Sequence, residues 1–321
     1  MTTATLRVRV SARREEARDI ASFELVAADG QALPAFSAGA HIDVKVGGGL
    51  VRQYSLCNDS SETHRYLIAV LKDSATRGGS KAMHERVRVG DELEISAPRN
   101  HFPLAHEARR SVLLAGGIGV TPILCMAERL AAASADFELH HCTRSPERTA
   151  FRERIADGRF GSRVHHHFDD GPPEQKLDLA AFVARQEGDT HLYVCGPKGF
   201  MDAVLNEARS QGWPETRLHY EFFAAGPVDR ANDHGFEVQV ASSGQVVAVA
   251  KDETVVQALG RIGIEVPTSC EQGVCGTCIT RVLEGVPDHK DVYFTADEQA
   301  ANDQFTPCCS RSRSQRLVLD L

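Results

Sequence analysis

Short runs of alternating apolar and polar residues fill the first hundred positions: LRVRV, HIDVKV, RYLIAVLKD and DELEISAP. Period-two alternation bounded by Gly, Asp and Pro marks half-buried strands. Residues 1–105 are therefore expected to form an antiparallel β-barrel domain. From 106 to 226 the pattern changes. SVLLAG runs into TPILCMAERLAAA, DFELHHC is followed by RTAFRERIADG, and HLYVC leads into PKGFMDAVLNEARS. Strands alternating with helical segments predict a parallel α/β sheet. Residues 227–235, PVDRANDHG, carry Pro, Gly and no apolar periodicity, and read as a linker. Beyond them FEVQV and QVVAV flank ASSG as a hairpin, ETVVQALGRIG reads as a short helix, and RLVLDL closes as a strand. Residues 236–321 thus predict a small α+β domain. A chain of 321 residues has room for all three.

Charge and composition narrow the function. The net charge of −8 and the lack of a basic stripe argue against nucleic acid as a partner. Nothing approaches 18 consecutive apolar residues, so no transmembrane helix is expected, and the N-terminus lacks the apolar core of a signal peptide. Nine cysteines make an odd count, and five (Cys270, Cys275, Cys278, Cys308 and Cys309) fall in the last sixth of the chain. That asymmetry points to a local metal site in a reducing compartment, and to a cytoplasmic protein.

The cysteines have a definite spacing: C-x4-C-x2-C for Cys270, Cys275 and Cys278, then 29 residues, then Cys308. This is the plant-type [2Fe–2S] pattern. Two irons bridged by sulfides each need two thiolates, and a loop containing Gly273 and Gly276 can wrap its amides around them. A structural zinc site would favour paired C-x2-C knuckles, and only one such pair is present. Cys309, beside Cys308, is a competing fourth ligand. The histidine run His165–His167 lacks partner spacing for a metal and reads as a polar strand edge.

Four further stretches could hold cofactors. In RQYSL, Arg52 can fork onto a phosphate, Tyr54 can pack on a flavin ring, and the Ser55 hydroxyl can reach its N5. An exposed strand end is the competing reading. In TRGGSKAMH, Gly78, Gly79 and Ser80 can open a helix toward a phosphate; a plain loop is the alternative. LLAGGIGVTPI is not G-x-G-x-x-G, yet Gly117 and its glycine neighbours allow close approach of a pyrophosphate. Thr121-Pro122 there begins a helix. In YVCGPKGF, Cys195 stands at a strand's carboxyl end, where ligands gather in open sheets, or is simply a buried structural cysteine.

Taken together, RQYSLCND, RGGS, AGGIGVTP, CTRSPE, CGPKGFM, EFFAA and SCEQGVCGTC occur in one order over essentially the whole chain. In this the chain resembles the phthalate dioxygenase reductase and vanillate O-demethylase oxidoreductase family. The resemblance implies an FMN-binding barrel, an NADH-binding domain and a C-terminal plant-type ferredoxin. It implies a reductase that takes hydride from NADH and passes single electrons to a terminal oxygenase, typically a Rieske non-haem iron enzyme. It assigns Arg52, Tyr54, Ser55, Gly78, Gly79 and Ser80 to FMN, and Gly117, Thr121 and Cys195 to the pyridine nucleotide. Glu221 and Phe223 of EFFAA would lie near the nicotinamide or flavin ring, with Ser55, Cys195 and Glu221 the catalytic set. The family pattern favours Cys308 over Cys309 as the fourth cluster ligand. Arg144, Ser145 and Arg148 follow a strand where a 2′-phosphate could be met, but CTRS also occurs in NADH-using relatives. A stand-alone flavin and iron–sulfur reductase with a different electron acceptor is the alternative function. Residues 236–321 carry 12 acidic against seven basic side chains, which suggests docking to a basic patch, or an ordinary solvated surface.

Overall fold

The computed structural model describes residues 5–47, 50–73, 78–186, 188–223 and 233–321. It divides into two compact units, residues 1–223 and 224–321.

The first unit opens with strands β1 (Thr5–Ala17), β2 (Ile20–Ala27), β3 (His41–Lys45), β4 (Val51–Ser55) and β5 (Tyr66–Leu71). Helix α1 (Gly79–Arg86) and strand β6 (Glu92–Ser96) follow. The strands form one antiparallel sheet in the order β4-β3-β6-β1-β2-β5. A single Leu56–Ile68 bridge and the Cys57 N–H to Leu67 carbonyl bond join its two edges and close the barrel. Alternation decides which side chains fill it: Val8 and Val10, Phe23 and Leu25, Ile42 and Val44 are fully buried together.

The same unit continues as an α/β layer structure. Its elements are β7 (Arg110–Gly116), α2 (Val120–Ala132), β8 (Asp136–Thr143), α3 (Arg152–Asp157), β9 (Val164–Phe168), α4 (Leu179–Ala184), β10 (Thr190–Cys195), α5 (Lys198–Ser210) and β11 (Leu218–Glu221). The five strands are parallel, in the order β11-β10-β7-β8-β9. Central strands buried on both faces need continuous apolar runs, and SVLLAG supplies one. Val112 and Leu114 pack with α4 and α5, whereas Leu113 and Ala115 face the opposite way into a core shared with Ile20, Ala69 and Phe102 of the barrel. Barrel and sheet are therefore bonded by a common core. Strand β9 is an edge, as the histidine run suggested.

The second unit contains β12 (Phe236–Val240), β13 (Val246–Val249), α6 (Val255–Arg261), β14 (Thr280–Glu284), β15 (Pro287–Asp288), α7 (Ala296–Ala301), β16 (Gln304–Phe305), β17 (Arg311–Ser312) and β18 (Arg316–Leu319). The hairpin β12–β13 and the closing strand β18 share a mixed sheet, in the order β13-β12-β18-β14-β16. Helix α6 begins with a capping box in which Thr254 and Gln257 satisfy each other's amides. Residues 227–232 of the expected linker lie outside the described residues. Its last residues are held: the buried Arg311 guanidinium donates to the His234, Ala250 and Glu253 carbonyls and pairs with Asp233. Among the described residues no helix is long and apolar enough to cross a membrane.

Candidate functional site

Two strand ends, one from the barrel and one from the sheet, meet in the first unit. Ser55 ends β4 opposite His41 of β3, and Glu221 ends β11 beside Cys195 of β10. The Ser55 hydroxyl donates to Glu221 Oε2 at 3.5 Å, and His41 Nδ1 stands 3.8 Å from Glu221 Oε1. Burial raises the Glu221 carboxyl to about 8, against the opposing hydrogen bond from Ser55. Burial first, then the Arg99 charge, lowers the His41 imidazole to about 4. Both groups are therefore uncharged at neutral pH, and their approach is not an ion pair. Burial, then the nearby Glu221, pushes the Cys195 thiol well above its ordinary range, so it stays protonated. Phe223, more than a third exposed, is the last described residue of the first unit. His41 escaped the sequence reading because a lone histidine opening a strand carries no spacing signal.

Of the other barrel residues named from the sequence, Arg52, Gly78, Gly79 and Ser80 come together at the start of α1. Gly78 has a φ of +96°, in the left-handed region that favours glycine, and Gly79 begins the helix. A Cβ on Gly79 would lie 2.5 Å from Arg52 Cγ and 2.8 Å from its Nε. The glycine turn thus closes directly onto the arginine side chain of β4, joining two motifs separated in sequence. Ser80 Oγ accepts the Asp73 N–H at 3.3 Å, a contact that uses a lone pair and not the hydroxyl proton. Tyr54 is half-buried, and burial raises its phenol. Arg77 of the RGGS motif lies outside the described residues. This cradle, with a guanidinium beside a helix start, fits a phosphate-bearing flavin.

On the sheet, the loops after β7 and β10 pack glycine against glycine. A Cβ on Gly119 would stand 2.2 Å from the Cys195 carbonyl oxygen, and one on Gly196 2.9 Å from Gly116 Cα. Gly117 differs: its φ is +53° and the space around it is open, leaving the backbone accessible. Two side chains fasten this loop from behind. Thr121 Oγ1 donates to the Ile118 carbonyl at 3.1 Å, and buried His141 donates through Nε2 to the Gly117 carbonyl at 3.1 Å. The lining fits a pyridine nucleotide at the carboxyl ends of parallel strands.

The second unit gathers the thiols. Cys270 is within hydrogen-bond reach of Cys275 and Cys308, and Cys308 of Cys270 and Cys278. Backbone amides of Gln272 and Val274 point at the Cys270 sulfur, at 3.4 and 3.5 Å, and the Thr277 amide points at Cys275 at 3.5 Å. Gly273 and Gly276 have φ values of +70° and +68°. A Cβ there would strike Cys309 Sγ and the Tyr293 ring, each at 2.5 Å. Cys309 touches Cys308 but turns toward Thr306 and Ser310, with Thr306 Oγ1 at 3.3 Å. Four converging thiols with amides aimed at sulfur fit a [2Fe–2S] cluster and its anionic charge.

Comparison with known proteins agrees with this geometry. Residues 113–206 match the oxidoreductase NAD-binding domain and residues 238–313 the 2Fe-2S iron-sulfur cluster binding domain. The chain is 60% identical to the vanillate O-demethylase oxidoreductase of Pseudomonas putida, over 97% of this chain and 98% of the relative. The chain belongs to the phthalate dioxygenase reductase and vanillate O-demethylase oxidoreductase family. Members of this family are NADH-dependent reductases that carry electrons through FMN and [2Fe–2S] to an oxygenase component, and this chain is such an oxidoreductase. The solved phthalate dioxygenase reductase, a modular structure for electron transfer from pyridine nucleotides to [2Fe-2S], aligns with a TM-score of 0.79 at 39% identity, covering 99% of this chain and 98% of that one. The same family architecture occupies 41% of a type IV self-sufficient cytochrome P450 monooxygenase, with a TM-score of 0.84 and 39% identity over 99% of this chain.

Proposed function

We propose that this reductase serves an O-demethylase acting on vanillate or a similar methoxylated aromatic acid, in the cytoplasm. The observation that carries the residue-level reading is the meeting of Ser55, His41, Glu221 and Cys195 where the barrel and the nucleotide sheet share a core. FMN supplies the exchange between two-electron donor and one-electron acceptor when bound. Arg52, with Gly78, Gly79 and Ser80, holds its phosphate, and Tyr54 packs along its ring. Gly117 admits the nucleotide's pyrophosphate while Thr121 and His141 keep that loop in shape. Cys195 forms a neutral, polarisable wall and Phe223 covers the ring edge. Ser55 offers its hydroxyl, and the Glu221 carboxyl keeps its proton through neutral pH, so no buried charge opposes close stacking of two rings. Arg148 is turned to Asp19 of the barrel, 3.4 Å away, which supports NADH over a nucleotide bearing a 2′-phosphate. Cys270, Cys275, Cys278 and Cys308 hold the cluster.

Two measurements test this. Ser55→Ala should keep its FMN but slow flavin reduction by NADH about a hundredfold, the lower end of the range for one catalytic hydrogen bond. An unchanged stopped-flow rate removes Ser55 from the catalytic set. Reconstitution with a vanillate O-demethylase oxygenase should support NADH-dependent demethylation of vanillate; NADH oxidation without it points to a different acceptor.

A further inference from the structure

The ladder between β8 and β9 pairs His140 with His165 and Cys142 with His167. Side chains paired across a parallel ladder share a face, as do residues two apart on one strand. Glu138, His140, His165 and His167 therefore lie on one face, the one covered by Phe182 of α4 and by Gln186 just beyond it. Ligand atoms of Glu138, His140 and His165 all lie within 4.8 Å of one another.

Hydrogen bonding fixes the tautomers. His167 Nδ1 is 3.1 Å from the Gln175 carbonyl, which can only accept, so Nδ1 carries the proton. In the neutral ring His167 Nε2 is then an acceptor, and His140 Nδ1, 2.9 Å away, donates to it. That leaves a lone pair on His140 Nε2, in a residue 3% exposed, with no hydrogen-bond partner among the described residues. It faces Glu138 Oε2 at 3.5 Å. Oε1 of the same carboxylate is already held by Gln186 at 3.1 Å and Arg110 at 3.3 Å. Two acceptors facing each other in a buried setting repel unless a cation stands between them. A proton on His140 Nε2 is one such cation; a metal ion is the other.

We propose that Glu138, His140 and His165 form a site for a divalent transition-metal ion of the zinc class, clipping edge strand β9 to β8. The donor set of two imidazoles and a carboxylate suits that class. Tetrahedral bonds of about 2.0–2.1 Å put ligand atoms roughly 3.4 Å apart, close to the 3.5 Å between His140 and Glu138. His165 is exposed on the edge strand and now stacks on His140 with ring centres 4.8 Å apart; turning its ring brings it into the set. Its exposure leaves a fourth position for water. His167, Gln186 and Arg110 supply the outer hydrogen bonds that orient such ligands. The charges of Arg110 and of Arg185, which lies over Phe182, oppose a cation and make the site weaker than a closed structural one. Glu138 precedes the carboxyl end of β8 by five residues, and His140 and His165 precede the ends of β8 and β9 by three, roughly 10–16 Å of strand between the site and the nucleotide loops.

The test uses tag-free holoprotein, loaded with FMN and cluster, titrated with Zn²⁺ against a fluorescent zinc chelator. The wild type should take one equivalent and show a raised Tm with zinc. Glu138→Gln and the exposed His165→Ala should each bind at least tenfold more weakly and lose that Tm shift. Equal zinc uptake by wild type and both variants overturns the proposal, as does uptake matched by loss of iron from the cluster.

Discussion

Cys308 and Cys309 differ in what each sulfur meets. Cys308 reaches Cys270 and Cys278, while Cys309 points toward the Thr306 and Ser310 hydroxyls and lies where a Cβ on Gly273 would fall. A serine at 308 replaces a thiolate facing two others; a serine at 309 replaces a thiol among hydroxyls. Cys308→Ser is therefore expected to lose most of its iron and the EPR signal of the reduced cluster, and Cys309→Ser to keep both. Retention of iron in the first variant and loss in the second would move the fourth ligand by one residue. The spacing in the sequence could not separate the two, since adjacent positions are equally distant from Cys278 along the chain to within one residue. The turn at Thr306–Ser310 tells them apart, in the direction that the family pattern implied.

At the scale of elements, the glycine loops show how position, not composition, sets the site. Gly117 sits in open space, whereas Gly119 backs directly onto the Cys195 carbonyl. Gly119→Ala would force the two loops apart, at a cost of about 1–3 kcal/mol for overpacking, with a lower Tm and a raised KM for NADH. Flavin content should stay unchanged, because the Arg52–Gly79 cradle lies on other elements. A KM equal to wild type would mean that the loops absorb the methyl without moving. The strand and helix pattern was legible because alternation and apolar runs report burial locally: SVLLAG announces a strand buried on both faces. The consecutive motifs were legible for the same reason. His41, His141 and the Glu138–His140–His165 group were not. Each faces a partner on a different element, and which elements meet is set by tertiary packing rather than by spacing along the chain.

For the whole molecule, buried titratable groups and surface charge make separate predictions. His41, His141 and His219 are each lowered to about 4 in the folded first unit, with burial the main cause. Their contribution to stability is complete above about 6.5, the unfolded value, and is lost as pH falls toward 4. Glu221, raised to about 8, acts oppositely: its contribution is complete below about 4.5 and is lost as pH rises through 8. Three groups outweigh one below 6.5, so these four place the Tm maximum of the flavin-bearing unit near pH 6.5. Thermal release of flavin fluorescence across pH 5–9 measures it, and a Tm still climbing to pH 8 would contradict it. The second unit carries its own charge signature. Six of its seven basic residues from 236 on are paired with acids, Arg261, Arg281, Lys290, Arg311, Arg313 and Arg316. Twelve acids against seven bases leave an excess of five negative charges. Glu265 and Glu271, both exposed, flank or lie within the cysteine loop. An acidic surface at the point of electron exit speeds encounter with a basic partner, and salt screens such steering over roughly 8–10 Å at physiological strength. Reduction of the oxygenase by the NADH-loaded protein should therefore slow several-fold between low and moderate salt. Glu265→Gln with Glu271→Gln should start slower at low salt and depend less on it, while NADH-to-ferricyanide turnover stays level. Parallel salt curves for wild type and the double variant would assign the acids to solvation alone.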